Sequence, residues 1–410
     1  MGQTIIEKII SRHAGRDVHK DEIVIAHVDG AMATDTTAPL AIKAFREMGG
    51  KRVWNSDKCF FVIDHAAPAP NEMIANLHKM MREFALKQGC ILFESGEGIC
   101  HQLITEKGIV RPGQIFVGAD SHTCTYGAFG AFGTGVGSTE LGGILLTGKI
   151  WLRVPNTLKI ELKGIVPSGV QAKDMILYVL GRIGIAGATY QAIEFCGEAI
   201  AGLSLAGRMV MANMAVEMGA KAGFVHHEGL RLPYRFRPIV PDRDAFYHQT
   251  VTMDLSRMTP MVSLPHSPQN AVSVDEVKGK QIHCGFIGTC TNGRLEDLNA
   301  AARVLKGRRV HRNVRLLIAP ASRQIFLEAL QDGTVEILTN AGGTFLPCSC
   351  GPCVGTHNGV LGDDEIAIST GNRNFKGRMG NSRAKVFLAS PTTVAASAIE
   401  GRIVNPLPYV

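Results

Sequence analysis

Residues 348–353 read Cys348-Ser349-Cys350-Gly351-Pro352-Cys353 and place three thiols within one short turn. Cys350 and Cys353 form a Cys-x-x-Cys step around a rigid Gly-Pro pair, and Cys290 could close the same centre from elsewhere in the fold. Four thiolates would suit structural zinc, whereas three would leave one iron of an iron–sulfur cubane open to an outside ligand. A redox dithiol and ordinary buried cysteines are the remaining alternatives. We therefore predict a metal centre at this turn.

The composition is typical of a globular chain with a large core. Of its 410 residues 45% are hydrophobic and 19% charged, and the formal charge of +7 is spread along the chain rather than gathered in runs. We therefore expect no nucleic-acid partner, and the lack of a secretory pattern or a long apolar stretch predicts no export and no membrane insertion. We expect the reducing cytoplasm, where clustered thiols favour metal binding or catalysis. Six other cysteines stand singly and are expected to be ordinary core residues: Cys59, Cys90, Cys100, Cys124, Cys196 and Cys284.

Strands alternate with helices along the whole sequence, which predicts an α/β fold with largely parallel sheets. We expect three α/β domains, at residues 1–155, 156–275 and 276–410, around a central site. Residues 29–37 are rich in small and polar side chains and predict a loop. Residues 231–268 are rich in Pro and Arg, show little periodicity, and predict a long surface excursion at a domain boundary.

A glycine-rich run covers residues 127–137, between a predicted strand and a predicted helix. It lacks the Gly-Lys-Ser/Thr ending of a phosphate loop and the spacing of a dinucleotide fingerprint. We expect instead that the backbone here approaches a cofactor or a neighbouring helix closely.

Carboxylate–imidazole pairs follow two of the predicted strands. Asp64-His65 and Asp120-Ser121-His122 each stand where a strand ends, and His101 is nearby in sequence. Ligands in open α/β sheets gather beyond the carboxyl ends of strands, and an aspartate fixes the tautomer of a histidine and raises its basicity. Any one pair could be a satisfied structural pair, but three histidines near strand ends favour a shared site.

Two further groups are weaker indications when taken alone. Arg373 and Arg378 follow another predicted strand, and guanidinium groups suit bidentate capture of a carboxylate. Asn213 and Glu217 are four residues apart on a predicted helix and so share one face, which is also typical of an ordinary polar stripe.

Together these residues resemble the aconitase superfamily. The matching motifs occur in the order of that family and cover nearly the whole chain, which makes the set far more specific than any one motif. They are Asp64-His65, Gly98-Ile99-Cys100-His101-Gln102, Gly118-Ala119-Asp120-Ser121-His122-Thr123, Asn213 to Glu217, Gly288-Thr289-Cys290-Thr291-Asn292, Cys350-Gly351-Pro352-Cys353 and Asn372-Arg373-Asn374-Phe375 with Gly377-Arg378.

The resemblance implies one [4Fe–4S] cluster per chain, held by Cys290, Cys350 and Cys353. Its fourth iron would bind the hydroxyl and a carboxylate of the substrate and act as a Lewis acid. Cys348 does not match a ligand position of the family, so a four-thiolate zinc site becomes the lesser alternative and Cys348 is expected to be a bystander.

The resemblance also implies roles for the other motif residues. The pair His101–Asp120 would assist protonation of the leaving hydroxyl, and Asp64-His65 would supply a second carboxylate–imidazole pair. Further catalytic roles are implied for Ser121, His122 and Glu217. Substrate-binding roles are implied for Asn213, Asn372, Arg373 and Arg378.

The resemblance is closest to the shorter large subunits that act on substituted malates. These lack a swivelling domain, so a separate small subunit is expected to complete a heterodimer or heterotetramer and to supply the serine base. The implied activity is isomerisation of 2- and 3-isopropylmalate in leucine biosynthesis by dehydration and rehydration. Homoaconitase-type activity on another di- or tricarboxylate hydroxy acid is the alternative.

One position departs from the pattern of the family, and two other functions compete. Thr34 stands where aconitases carry a substrate-binding glutamine, so that role is not transferred to it. A cluster-free relative that regulates by binding RNA is a remote alternative, disfavoured by the dispersed charge. A zinc-stabilised structural protein is another.

Overall fold

The structure, a computed structural model, describes residues 2–410. Over these residues strands and helices alternate in four sheets. The strands are β1 Ile23–His27, β2 Gly30–Thr34, β3 Cys59–Val62, β4 Ile91–Phe93, β5 Ile115–Gly118, β6 Phe132–Gly135, β7 Lys149–Arg153, β8 Thr157–Lys163, β9 Ala192–Cys196, β10 Ala222–Val225, β11 Gln249–Asp254, β12 Met261–Ser263, β13 Ala271–Ser273, β14 Cys284–Ile287, β15 Arg315–Ile318, β16 Gly343–Phe345, β17 Ile366–Ser369 and β18 Lys385–Ala389.

The helices end where the sequence supplies caps. Asn71 caps the first turn of the long helix α3, and Gly89 ends it in a left-handed conformation. The helices are α1 Ile5–Ala14, α2 Ala38–Glu47, α3 Glu72–Gln88, α4 Cys100–Glu106, α5 Ser138–Thr147, α6 Ala172–Ile183, α7 Glu198–Ala201, α8 Leu205–Asn213, α9 Leu295–Leu305, α10 Arg323–Gln331, α11 Thr334–Asn340 and α12 Pro391–Glu400. Within residues 2–410, every helix is too short or too polar to cross a membrane.

The first sheet is parallel and has the strand order β4-β3-β2-β5-β6. The prediction of a loop over residues 29–37 is wrong, because β2 is the central strand of this sheet. Its sequence, Gly-Ala-Met-Ala-Thr, has one β-branched residue at its end and no aromatic residue, so it shows little of the pattern typical of strands, but all five residues are buried. A β-carbon at Gly30 would lie 2.3 Å from the ring of Phe116, so the small residues make room for large neighbours.

The second sheet is also parallel, with the order β10-β9-β8-β11. The prediction of an irregular excursion over residues 231–268 is wrong in its second half, which contains β11 and β12. Strand β11 is an edge strand with mostly exposed side chains, so its sequence lacks the apolar run of a buried strand.

The third sheet has seven strands in the order β13-β12-β18-β17-β14-β15-β16. The strands β18, β17, β14, β15 and β16 are parallel to one another. Strand β12 pairs antiparallel with both β18 and β13. The α/β class with largely parallel sheets is therefore confirmed. The division into three domains stays a proposal, and β12 and β13 precede its boundary at residue 275 although they pair with the third sheet.

The glycine-rich run allows two backbones to approach closely. A β-carbon built on Gly127 would lie 1.6 Å from the carbonyl oxygen of Gly223 in β10. The run does approach another backbone closely, but the neighbour is a strand of the second sheet rather than the predicted cofactor or helix. This contact packs the 3-10 turn Ser121–Phe129, which carries site residues, against that sheet.

We expect Gly127→Ala to lower the free energy of unfolding by about 3 kcal/mol or more, because the added methyl group overlaps the backbone of β10. Gly143→Ala is the matched control: the nearest atom, Met48 Sδ, lies 3.7 Å away, and alanine is the better helix former by up to about 1 kcal/mol. Urea unfolding followed by circular dichroism measures both. Equal stability of the two variants would contradict the packing described here.

Candidate active site and metal centre

The predicted site residues follow the carboxyl ends of strands from two sheets. Asp64-His65 follows β3 and Asp120 follows β5 in the first sheet, whereas Cys290 follows β14 and the turn at Asn372 follows β17 in the third. Parallel strands end at one edge of their sheet, and here the two edges face each other. Asn213 and Glu217 come from the end of α8 and the 3-10 turn Met214–Met218 that follows it.

A single carboxylate, that of Asp120, contacts three histidines. Its oxygens lie 2.8 Å from Nε2 of His101 and 3.2 Å from Nε2 of His65, and it accepts the backbone N–H of His122 at 2.8 Å. Burial alone would raise the pKa of Asp120, but these histidine contacts lower it well below its ordinary value. Asp120 is therefore an ionised centre that orients the imidazoles around it.

Asp64 joins this histidine cluster to the cysteine turn. Its Oδ1 lies 2.8 Å from Nδ1 of His65, and its Oδ2 accepts the backbone N–H of Cys100 at 2.8 Å. Its carbonyl oxygen accepts the backbone N–H of Cys350 at 2.9 Å. Burial would lower the pKa of His65, but Cys350 and Asp64 raise it well above its ordinary value.

Glu217 organises the opposite wall of the site. Its Oε1 lies 2.8 Å from Nε2 of His122, and Arg373 Nε donates to its Oε2 at 3.0 Å. Arg373 also donates from Nη2 to the hydroxyl of Ser121 at 3.1 Å. Burial would raise the pKa of Glu217, but His122 and Arg373 lower it below the ordinary value. This wall therefore has an ionised carboxylate and a partly exposed guanidinium group.

Side-chain N–H donors surround the cysteine sulfurs. Asn213 Nδ2 donates to Cys290 Sγ at 3.2 Å, and Asn372 Nδ2 donates to the same sulfur at 3.4 Å. Arg378 Nη2 donates to Cys353 Sγ at 3.5 Å. Hydrogen bonds to sulfur are typical of iron–sulfur sites, where they stabilise the thiolate ligands.

The spacing of the three sulfurs distinguishes between metal centres. Cys290, Cys350 and Cys353 are all buried, and Cys290 and Cys353 contact the same amide, that of Asn372. Within residues 2–410, however, their sulfurs do not all lie within 4.8 Å of one another. Three thiolates on one zinc ion would be about 3.8 Å apart, as follows from Zn–S bonds of about 2.3 Å in a tetrahedron. The arrangement therefore does not match a single zinc ion held by these three thiolates.

The structure brings all fourteen predicted site residues into one connected set of contacts. Cys348 is buried apart from them, and the charged groups that influence it are Arg323 and Glu106 rather than the three other cysteines. Burial raises the pKa of the Cys348 thiol to about 11. This environment agrees with the prediction that Cys348 is a bystander.

Two residues next to the site were missed from the sequence. Asp35 follows β2, and recognising that strand would have indicated it by the same strand-end argument that found Asp64 and Asp120. Asp35 accepts the backbone N–H groups of His65 and Ala66, each at 2.8 Å. Lys173 is fully buried behind the site, and no pattern in the sequence indicated it.

Comparison with known proteins identifies the class. The family described as "Aconitase family (aconitate hydratase)" matches residues 7–401, and the chain belongs to this family. The resemblance inferred from the motifs is thereby confirmed, and membership implies an iron–sulfur cluster. The solved structure of aconitase X from Thermococcus kodakaraensis shares the fold, with a TM-score of 0.54 and 15% identity over 90% of this chain and 89% of that one.

Particular relatives match over nearly their full length. The chain is 50% identical to 3-isopropylmalate dehydratase large subunit 1 of Methanopyrus kandleri and 47% identical to large subunit 1 of Thermotoga maritima, each over 100% of both chains. It is 49% identical to a probable methanogen homoaconitase large subunit of Methanosarcina mazei, over 93% of this chain and 99% of that one.

We expect Asp35→Asn to lower the free energy of unfolding by about 2 kcal/mol near neutral pH, because a neutral amide replaces an ionised acceptor of backbone N–H groups. Burial would raise the pKa of Asp35, but His78, His65 and the backbone donors lower it to about 2 from the ordinary 3.8. A carboxyl group whose pKa is lowered by folding stabilises the folded state when the pH is above its ordinary pKa. That stabilisation is lost as the pH falls through the pKa of the folded state.

The difference between Asp35→Asn and the parent protein should therefore be constant above about pH 5 and should narrow as the pH falls from 3.8 towards 2. Urea unfolding at several pH values measures it, with the exposed Asp17→Asn as control. A loss that does not change with pH would show that the charge of Asp35 has no part in its effect.

Proposed function

We propose that this chain is the cluster-bearing large subunit of a hydro-lyase that interconverts 2- and 3-isopropylmalate through an alkene intermediate. The observation that carries the proposal is the joint placement of three buried cysteine sulfurs with a histidine–carboxylate set and two arginines. The relatives named 3-isopropylmalate dehydratase large subunit support the choice of substrate.

We infer that the cluster is of the [4Fe–4S] type, held by Cys290, Cys350 and Cys353. The family match and the N–H donors on two of the sulfurs support this inference. When bound, a cluster with three protein thiolates supplies an open iron that acts as a Lewis acid towards a substrate hydroxyl.

The residues of this chain bind the substrate and move protons around it. Arg373 is partly exposed and held at Nε by Glu217, so its remaining N–H groups can bind a substrate carboxylate. Arg378, which already contacts Cys353, is placed to bind a second carboxylate close to the cluster. Two such contacts hold a hydroxy diacid in one geometry for elimination.

His101 is the proton donor to the leaving hydroxyl group in this proposal. Its Nε2 lies 2.8 Å from the ionised carboxylate of Asp120, which orients the ring. His65 occupies an equivalent position on the other oxygen of Asp120. One carboxylate therefore orients two imidazoles next to the substrate.

We infer that a small subunit completes the site and supplies the base that removes the carbon-bound proton. The relatives are named large subunits, which supports a heterodimer or heterotetramer. We also infer a reducing, cytoplasmic location from the ten cysteines, all of which are free thiols in the structure.

Homoaconitase activity is the second candidate function, favoured by the relatives of that name at similar identity. The two functions differ in whether the substrate carries an alkyl group or a further carboxylate. The test is to reconstitute the chain anaerobically with iron and sulfide, add a small subunit of the isopropylmalate dehydratase type, and follow the ultraviolet absorbance of the alkene.

We expect turnover of 3-isopropylmalate by the two-subunit protein and none by the large subunit alone. Turnover of homocitrate with no turnover of 3-isopropylmalate would transfer the assignment to the second candidate. No turnover of either substrate, in protein that contains the cluster, would contradict both.

The ligand assignment has its own test. Cys350→Ser and Cys353→Ser should each abolish the visible absorption and the bound iron and sulfide of anaerobically reconstituted protein, because each removes a ligand. Cys348→Ser is the matched control from the same turn and should retain both. Loss of the cluster in the Cys348 variant, or zinc without sulfide in the parent protein, would contradict the assignment.

A further inference from the structure

Lys173 is a fully buried lysine in an unfavourable place. It is the second residue of helix α6, with no measurable exposure to solvent. The amino-terminal end of a helix carries a partial positive charge, which disfavours a lysine there. Burying an ammonium group without a counter-charge is also costly. Local structure therefore gives no reason for a lysine at this position, and the reason must lie in its distant contacts.

The ammonium group of Lys173 has three partners, all beside the site. It donates to the carbonyl oxygens of Thr370 at 3.0 Å and Gly371 at 2.5 Å, and it lies 3.4 Å from Sδ of Met214. Thr370 and Gly371 directly precede Asn372, and Met214 directly follows Asn213. One cation thus fixes the two segments that carry the amides on the Cys290 sulfur.

The same contact extends to the loop of Cys290 itself. The hydroxyl of Thr370 accepts the backbone N–H of Gly288 at 2.9 Å and lies 3.1 Å from the carbonyl oxygen of that residue. Gly288 is two residues before Cys290. Displacement of Thr370 would therefore move both the amide donors and the chain that carries the sulfur.

Among the residues that the structure describes, Lys173 has no direct ion-pair partner, and the ionisable groups that influence it are mostly residues of the site. Within residues 2–410, no carboxylate lies within 4.0 Å of its nitrogen in a salt bridge. The ionisable groups whose negative forms favour the protonated lysine are, in order of effect, Cys290, Cys353, Glu217 and Asp297. Burial lowers the pKa of Lys173 to about 7, and these groups oppose that shift. The neighbouring carboxylate, that of Asp174, instead accepts backbone N–H groups of Met261 and Gln171.

We propose that Lys173 is a positioning residue whose buried charge offsets the thiolates of Cys290 and Cys353 and whose hydrogen bonds hold Asn213 and Asn372 against the cluster. This inference rests on the proposed iron–sulfur function. It predicts that loss of the charge changes the electronic properties and the retention of the cluster while the fold remains.

The experiment compares Lys173→Met, which keeps the length without the charge, with Lys173→Arg, which keeps the charge. Lys221→Met is the control, because Lys221 is a partly buried lysine that donates to a single carbonyl oxygen, that of Gly135. Each protein is reconstituted anaerobically. The measurements are the thermal unfolding midpoint, the rate of iron release to a chelator, and the reduction potential of the cluster.

We expect Lys173→Met to release iron about tenfold faster than the parent protein, as for other residues that support metal ligands. Below pH 7, where Lys173 of the parent protein carries its charge, the reduction potential of the variant should be more negative than that of the parent, because a lost positive charge disfavours the added electron. Lys173→Arg should stay near the parent potential, and Lys221→Met should match the parent in both measurements. If Lys173→Met does not fold, Lys173→Gln, which keeps a donor without the charge, should show the same shift in potential.

Unchanged potential and iron release in the folded neutral variants would overturn the proposal. So would an equal shift in Lys173→Arg and Lys173→Met, since packing rather than charge would then be the cause. Failure of the parent protein to bind iron and sulfide would instead overturn the proposed function, so the two failures are distinguishable.

Discussion

Charge balance around three buried cysteine sulfurs is the constraint on which the rest of this structure depends. Thiolate ligands buried in a protein are tolerated only where donors and cations compensate them. Here the amides of Asn213 and Asn372, the guanidinium of Arg378 and the ammonium of Lys173 do so. The nearby carboxylates are in turn matched with histidines or arginine, so that no negative group of the site stands alone.

This balance requires residues from two sheets and from the turn after α8. The first sheet contributes Asp64 and Asp120 at its strand ends, the third contributes the cysteines and arginines, and the turn after α8 contributes Asn213 and Glu217. Such a site forms only when the sheets pack with their carboxyl edges towards one centre. Close packing at Gly127, where the 3-10 turn Ser121–Phe129 meets strand β10 of the second sheet backbone to backbone, is therefore part of what positions the chemistry.

Much of the site could be predicted because its residues follow strands with clear apolar patterns, such as β3 before Asp64 and β5 before Asp120. Where the pattern was weak, the prediction failed. Strand β2 consists of small residues whose burial depends on large neighbours, and Asp35 at its end was missed with it. Lys173 could not be predicted at all, since its role comes from carbonyl groups nearly two hundred residues further along the chain.

The central claim is that three cysteines hold a cluster whose fourth iron is open to substrate. The most direct measurement is the Mössbauer spectrum of protein reconstituted with ⁵⁷Fe, recorded with and without 3-isopropylmalate in the presence of the small subunit. We expect one iron of about four to change its isomer shift and quadrupole splitting when substrate binds, while the others do not. A spectrum in which none of the irons changes when substrate binds would contradict an open fourth iron.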